Sequence, residues 1–444
     1  MAGSREDGGL RLDRPTSGKT GRSSDGGDAG ATLGDHGRQS HFYGHTGRVP
    51  CVTEVLLIVG VLTAIFVGYN IGGSTTGPAF GPAVGANVIT KVMAAGLMSI
   101  FFFLGAYTIG PKVVTTLGEE LVTDTAIFTL RSNVAVLFFI GGALFIGNYA
   151  GVPASTSMTA VGAIAALGMA TGELNWDVLG EIVVWWVVAP IVGFWVAGVV
   201  GRYFYPRINA WVAIEEKEAG RPMVSIDRSG LVPRLQFGVD ADRREITGAL
   251  TVVAIGCLMG FSSGTSNIAN AIAPIYGTGD VDMTTLILIG SAAVAVGCFT
   301  IARRTLDTLG NDITNLPLTA AIVVAVISSG IVVTLSSIGV PASFVVIATM
   351  SIVGLGWGRA TRTTTLSDAA RGEETPVSVG ALTAEAEGER SPEIGEEEPE
   401  DIPQASDLFD PSTTARVILM QNVVPAISTV GAYLTFRFLP IFGF

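Results

Sequence analysis

The chain has 444 residues, 49% of them hydrophobic and 14% charged, with a mean hydropathy of +0.53. Soluble proteins carry about 25% charge, and runs approaching the roughly 20 apolar residues that cross a bilayer recur throughout, so the class is an all-α polytopic protein, multi-pass in the cell membrane. The formal charge of −12 is local: eleven acids and one base between Glu373 and Asp401 supply −10 of it. It therefore describes one solvated loop rather than a ligand, and the chain offers no basic face for nucleic acid.

Residues 1–50 are rich in Gly, Ser, Asp and Arg and predict a disordered tail, with no secretory signal core. All three histidines (His36, His41, His45) lie there, so no imidazole is left to relay protons through the membrane region. Their spacing in such a tail is incidental rather than a metal site. Cys51, Cys257 and Cys298 sit at or inside apolar runs and imply no disulfide framework. Only four of the 26 basic residues are lysines, a bias that suggests a salt-loving source.

A first membrane repeat is expected over 51–204. Its spans begin with Cys51–Val67, which enters a Gly- and Ser-rich stretch, Gly68–Pro78. Val88–Gly110, Asn133–Ala150, Pro153–Gly172 and Gly180–Phe204 follow, with Tyr203, Tyr205 and Trp211 placed for an interfacial belt. Residues 205–245 carry an excess of arginine and read as a cytoplasmic loop between halves. A second repeat, 246–358, runs through Ile246–Phe261, the stretch Gly264–Pro274, and the spans Met283–Ala302, Pro317–Ile338 and Pro341–Gly358. An acidic disordered loop, 359–413, precedes a C-terminal membrane segment, 414–444, giving roughly 10–12 segments.

The halves repeat each other. GAYTIGPKVVTTLGEEL from Gly105 parallels GCFTIARRTLDTLGNDI from Gly297, 192 positions on; GVPAS recurs at Gly151 and Gly339, 188 apart. Gly68 aligns with Gly264 at an offset of 196, which sets Asn70 opposite Ser266, Ser74 opposite Asn270 and Pro78 opposite Pro274. The two stretches read as unwound breaks between apolar runs. Unwound backbone at matching places in two repeats marks a binding site near the bilayer midplane. Hydroxyl and amide side chains at each break, and at GVPASTS and GVPASF, stand where half-helices should start. They serve as N-caps or, with the free N–H groups and dipole of a helix start, as an oxyanion site; pairing in both repeats favours the second.

The order of break, TLG turn and Pro-x-Ser, twice around a hydrophilic loop, resembles the inorganic phosphate transporter (PiT) family. GTSNIANAIAP is similar to that family's GANDVANAIGP signature and GVPASTS to its PVSTTH signature, with GVPASF a weaker copy. The resemblance implies two inverted repeats with re-entrant helical hairpins, a homodimer, and symport of phosphate with Na⁺ or H⁺ across the bilayer. It points to Asn70, Ser155, Thr156, Ser157, Ser266, Asn270 and Ser343 for substrate, and the hydroxyl-rich first break adds Ser74 and Thr75. Asn70, Asn267, Asn270 and Thr308 are the candidates for the coupling cation; no other cofactor is implied. Several family acids are replaced: Ile71 and Asn267 stand in the two GAND copies, Phe102 ahead of LGA, and Met158 replaces the histidine after STT. Neutral oxygens at half-helices suit Na⁺ better than H⁺ coupling. Sulfate, fully ionised, asks only for donors and fits the local chemistry as well as phosphate does. Asp307 and Asp312, flanking the second TLG, are the acids that a site could draw inward. With no nucleophile–base pair or metal cluster in the pattern, an enzyme is not expected; a passive anion channel or a non-transporting sensor is the alternative class.

Overall fold

The computed structural model describes residues 50–150, 154–212, 224–227, 234–237, 243–301, 318–361 and 411–439. The N-terminal tail, the acidic loop, Asp307, Thr308 and Asp312 lie outside them. The described chain is nearly all helical. Repeat 1 contributes α1 (Pro50–Gly85), α2 (Lys91–Thr108), α3 (Gly110–Thr115) running into a π-helical turn at Thr116–Glu120, α4 (Leu130–Tyr149), α5 (Thr156–Thr171) and α6 (Trp176–Tyr203). The loop between repeats carries α7 (Tyr205–Val212) and a small antiparallel hairpin, β1 (Val224–Asp227) with β2 (Arg234–Phe237), in which Val224 faces Phe237. Repeat 2 follows with α8 (Arg243–Tyr276), α9 (Met283–Thr300), α10 (Leu318–Ser337) and α11 (Phe344–Ala360), and α12 (Pro411–Phe438) closes the chain.

Local chemistry sets the helix starts. Thr90, Thr129, Ser155, Asn175 and Asp282 each accept a first-turn backbone N–H as N-caps. Among the described residues seven helices are long and apolar enough to cross a membrane. Their outer faces are aliphatic: Val184, Val187 and Trp195 of α6 are more than half exposed, which suits hydrocarbon and not water. At a rise of 1.5 Å per residue, α5 spans about 24 Å and α11 about 25 Å, too short to cross alone. Each follows one of the longer helices, α4 before α5 and α10 before α11.

Glycine sets the crossings between repeats. A Cβ on Gly72 of α1 would stand 2.1 Å from the Val294 carbonyl oxygen and 2.9 Å from the Cys298 amide of α9. On Gly264 of α8 it would stand 2.0 Å from the Phe102 carbonyl oxygen and 2.9 Å from the Ala106 amide of α2. Each residue in the first set lies 192 positions from its counterpart in the second. Gly105 against Phe261 and Gly297 against Tyr69, both at 2.0 Å, repeat the relation. Along α1 and α9 the contacts rise together, from Gly68–Ala293 to Gly73–Ile301, so these helices run parallel. The chain reverses between α1 and α2 at 86–90, where Asn87 takes a left-handed φ of 54°. Hence α9 runs opposite to α2, its own counterpart, and the repeats are inverted.

Two sequence expectations change here. The glycine contacts pair Gly72, not Gly68, with Gly264, so the offset through α1 and α8 is 192 rather than 196. Ser74 is thereby the counterpart of Ser266, Thr75 of Asn267, Pro78 of Asn270 and Pro82 of Pro274. A shift of four residues is about one helical turn and leaves the apolar face in place, so the hydrophobic pattern cannot distinguish the two registers. Second, Gly68–Pro78 and Gly264–Pro274 are not unwound: both lie inside continuous helices. Their glycines allow close approach of a neighbouring backbone. The hydroxyls of Ser74, Thr75 and Thr76 are consumed by carbonyls one turn back in α1, at 3.1, 2.8 and 2.7 Å.

Candidate functional site

The two GVPAS turns are where helices do start inside the protein. Before α5, Ser155 is the N-cap and its hydroxyl accepts the Met158 N–H at 3.4 Å. Thr156 donates to the Asn267 side-chain oxygen at 2.6 Å, and Ser157 donates to the Ala342 carbonyl at 3.1 Å and lies 3.3 Å from the Ser266 hydroxyl. The first turn of α5 is therefore fastened to α8 and to the chain leading into α11.

Before α11 the N-cap is Ser343, and it makes no capping bond. Its hydroxyl is buried, with the residue 6% exposed, and has no hydrogen-bond partner. Ser343, Phe344 and Val345 line a cleft of about 30 Å³ whose other walls are Ser74, Thr75, Pro78 and Ala79 of α1, Ala154 and Thr156 at the start of α5, and Met259, Ser263 and Asn267 of α8. The first amides of α11 have no side-chain cap, and the residues at that helix start line a space whose wall is half hydroxyl and amide side chains and half apolar ones. Among the described residues no charged side chain lines the cleft.

Asn267 organises the far wall. Its nitrogen donates to the Ser263 hydroxyl at 3.0 Å, while its oxygen accepts from Thr156 and, at 3.2 Å, from the Asn270 nitrogen. That leaves the Asn270 side-chain oxygen, fully buried one turn along α8, without a partner. Behind this wall the α10–α11 turn is held from several sides: Ser266 and Ala342 exchange two hydrogen bonds, Trp186 donates to the Pro341 carbonyl at 2.9 Å, and Lys112 donates to the Ser337 carbonyl at 2.6 Å.

Of the residues singled out in the sequence, Ser74, Thr75, Thr156, Asn267 and Ser343 line the cleft; Ser155, Ser157, Ser266 and Asn270 stand immediately behind it, held by the bonds just described. Asn70 is not brought there. Its side chain donates to the Phe66 carbonyl at 2.8 Å, and the Asn148 nitrogen donates both to its backbone and to its side-chain oxygen, so it anchors α4 ahead of the first turn. Thr308 lies outside the described residues. Sequence reasoning missed Ser263, one helical turn before Asn267 on the same face, a spacing that could have found it.

Comparison with known proteins identifies the family. Residues 71–375 match the model of the phosphate transporter family. The chain belongs to that family. It is a membrane transporter, not an enzyme. The sulfate permease CysP of Bacillus subtilis is 30% identical over 303 residues, covering 68% of this chain and 77% of that one. A Chlamydia trachomatis protein with the provisional name phosphate permease is 24% identical over 387 residues, covering 69% and 91%. A solved structure titled as the sodium-dependent phosphate transporter superposes with a TM-score of 0.55 at 19% identity, covering 87% of this chain and all of the other; that likeness speaks for the fold.

Proposed function

We propose that this transporter imports inorganic phosphate by alternating access, binding it in the cleft between α1, α8 and the starts of α5 and α11, with Na⁺ as the coupling ion. The observation that carries the reading is the uncapped start of α11. A helix N-terminus whose N-cap hydroxyl and first amides are uncommitted offers several convergent donors and a positive dipole to an anion. Behind the Asn267 wall the buried Asn270 oxygen has no partner, an acceptor that a small shift of the wall would offer to the proton that phosphate retains at neutral pH, or to a bound cation. Neutral oxygens without a titratable partner favour Na⁺ over H⁺.

Sulfate is the second reading. It is supported by the lack of a carboxylate among the described lining residues and by the name of the Bacillus subtilis relative. The reading includes a homodimer in the bilayer, which mass measurement in nanodiscs tests. Purified protein in proteoliposomes should concentrate radiolabelled phosphate against its gradient when an inward Na⁺ gradient is imposed, with excess sulfate as competitor. Equilibration without concentration would instead indicate a channel, no flux a sensor, and preferential accumulation of sulfate the second reading.

A further inference from the structure

Ser266 and Ala342 form a closed latch. The Ser266 hydroxyl donates to the Ala342 carbonyl at 3.0 Å and accepts the Ala342 N–H at 3.2 Å, and both residues are buried. One side chain bonded both ways to one backbone unit fastens α8 to the segment that enters α11. The helix register of 192 maps Ser266 onto Ser74, and the GVPAS register of 188 maps Ala342 onto Ala154, so repeat 1 carries the same pair of residue types in the same relation. There no hydrogen bond joins the pair. The Ser74 hydroxyl donates to the Ile71 carbonyl of its own helix at 3.1 Å, and Ser74 and Ala154 both face the cleft.

We infer that Ser74 and Ala154 are the open counterpart of the Ser266–Ala342 latch, and that the two latches close in alternation as the transporter exchanges its facing states. This rests on the transport reading above. Inverted repeats with matching contacts can exchange arrangements, and the exchange changes the side to which a shared site opens. Each serine has both partners it needs. Ser74 trades the Ile71 carbonyl for Ala154; Ser266 trades Ala342 for the Ser263 carbonyl, which is the counterpart of Ile71 at the same offset. Both arrangements satisfy the hydroxyl, so the trade costs little net hydrogen bonding. The remaining site contacts are not symmetric: Thr156 and Asn267 correspond to Phe344 and Thr75, which cannot form the same bond. The latch serines thus supply the switch while the amide wall stays with repeat 2.

The test uses the full chain with Cys51, Cys257 and Cys298 replaced and uptake retained. S74C/A154C and S266C/A342C are oxidised with copper phenanthroline in proteoliposomes during uptake of phosphate or sulfate. Both pairs should form disulfides that dithiothreitol reverses, and oxidation should lower whatever uptake each reduced pair retains. A S74C/A154C pair that stays reduced overturns the alternation, and so does full uptake with Ser266 and Ala342 bridged. If a double variant fails to reach the membrane, Ser266→Ala decides. It removes the closed latch and should make A342C roughly tenfold more reactive to a small maleimide while A154C becomes less so; unchanged reactivity at both overturns the inference. Disulfides are read on gels, so alternating disulfides without flux of either anion would strike the proposed substrate and leave the latch standing.

Discussion

The two GVPAS copies begin with the same five residues and end in opposite states. The first continues in Thr156 and Ser157, which donate to α8 and to the α11 entry, while its Ser155 hydroxyl accepts an amide of its own helix as a cap. The second continues in Phe344 and Val345, and its single hydroxyl, on Ser343, is unspent. The copy richer in donors is therefore a structural joint, and the poorer copy is the one open to a ligand. What a motif offers an anion is the set of donors left over after the protein has satisfied itself, not the number of hydroxyls it contains.

The comparison depends on the inverted register, so the most drastic way to break it is at the glycine crossings. Gly72→Val and Gly264→Val each drive a side chain into a carbonyl oxygen about one bond length too near. Each should cost more than about 3 kcal/mol by overpacking and abolish the folded peak in size-exclusion chromatography. Gly142→Ala, with nothing within 4 Å of the new carbon, should leave it intact. If only one of the two crossings matters, the repeats are not equivalent.

The next test sets the copies against each other. Ser343→Ala removes a donor that no protein group uses; losing a hydrogen bond to a charged ligand costs about 1.5–3 kcal/mol, so KM for the anion should rise roughly tenfold to a hundredfold with little change in Tm. Ser155→Ala removes a cap worth about 1 kcal/mol and should lower Tm more than it raises KM. The reverse pattern would place the anion on α5 instead. Asn70→Ala loses the Asn148 anchor and should destabilise by about 1 kcal/mol while leaving KM near its starting value; a large rise in KM would return Asn70 to the substrate. The smallest effect belongs to Asp280→Ala, in the exposed turn after α8, expected within about 0.5 kcal/mol of the parent and with uptake unchanged.

Much was legible from the residues alone. Apolar length and scarce charge set the membrane class, because hydrocarbon admits few other compositions. Two GVPAS copies, each Pro followed by a Ser before an apolar run, marked real helix starts, since proline and a capping hydroxyl act over a few bonds. The Gly-, Ser- and Asn-rich stretches misled for the opposite reason. Glycine serves unwinding and close packing equally well, and only the neighbouring helix, with Val294 or Phe102 against it, shows which is meant. The one-turn slip between α1 and α8, the withdrawal of Asn70 to Asn148, and the spent and unspent caps of α5 and α11 all turn on which atoms meet across the fold. Such meetings are decided by distances between residues far apart in the chain, and local pattern carries no trace of them.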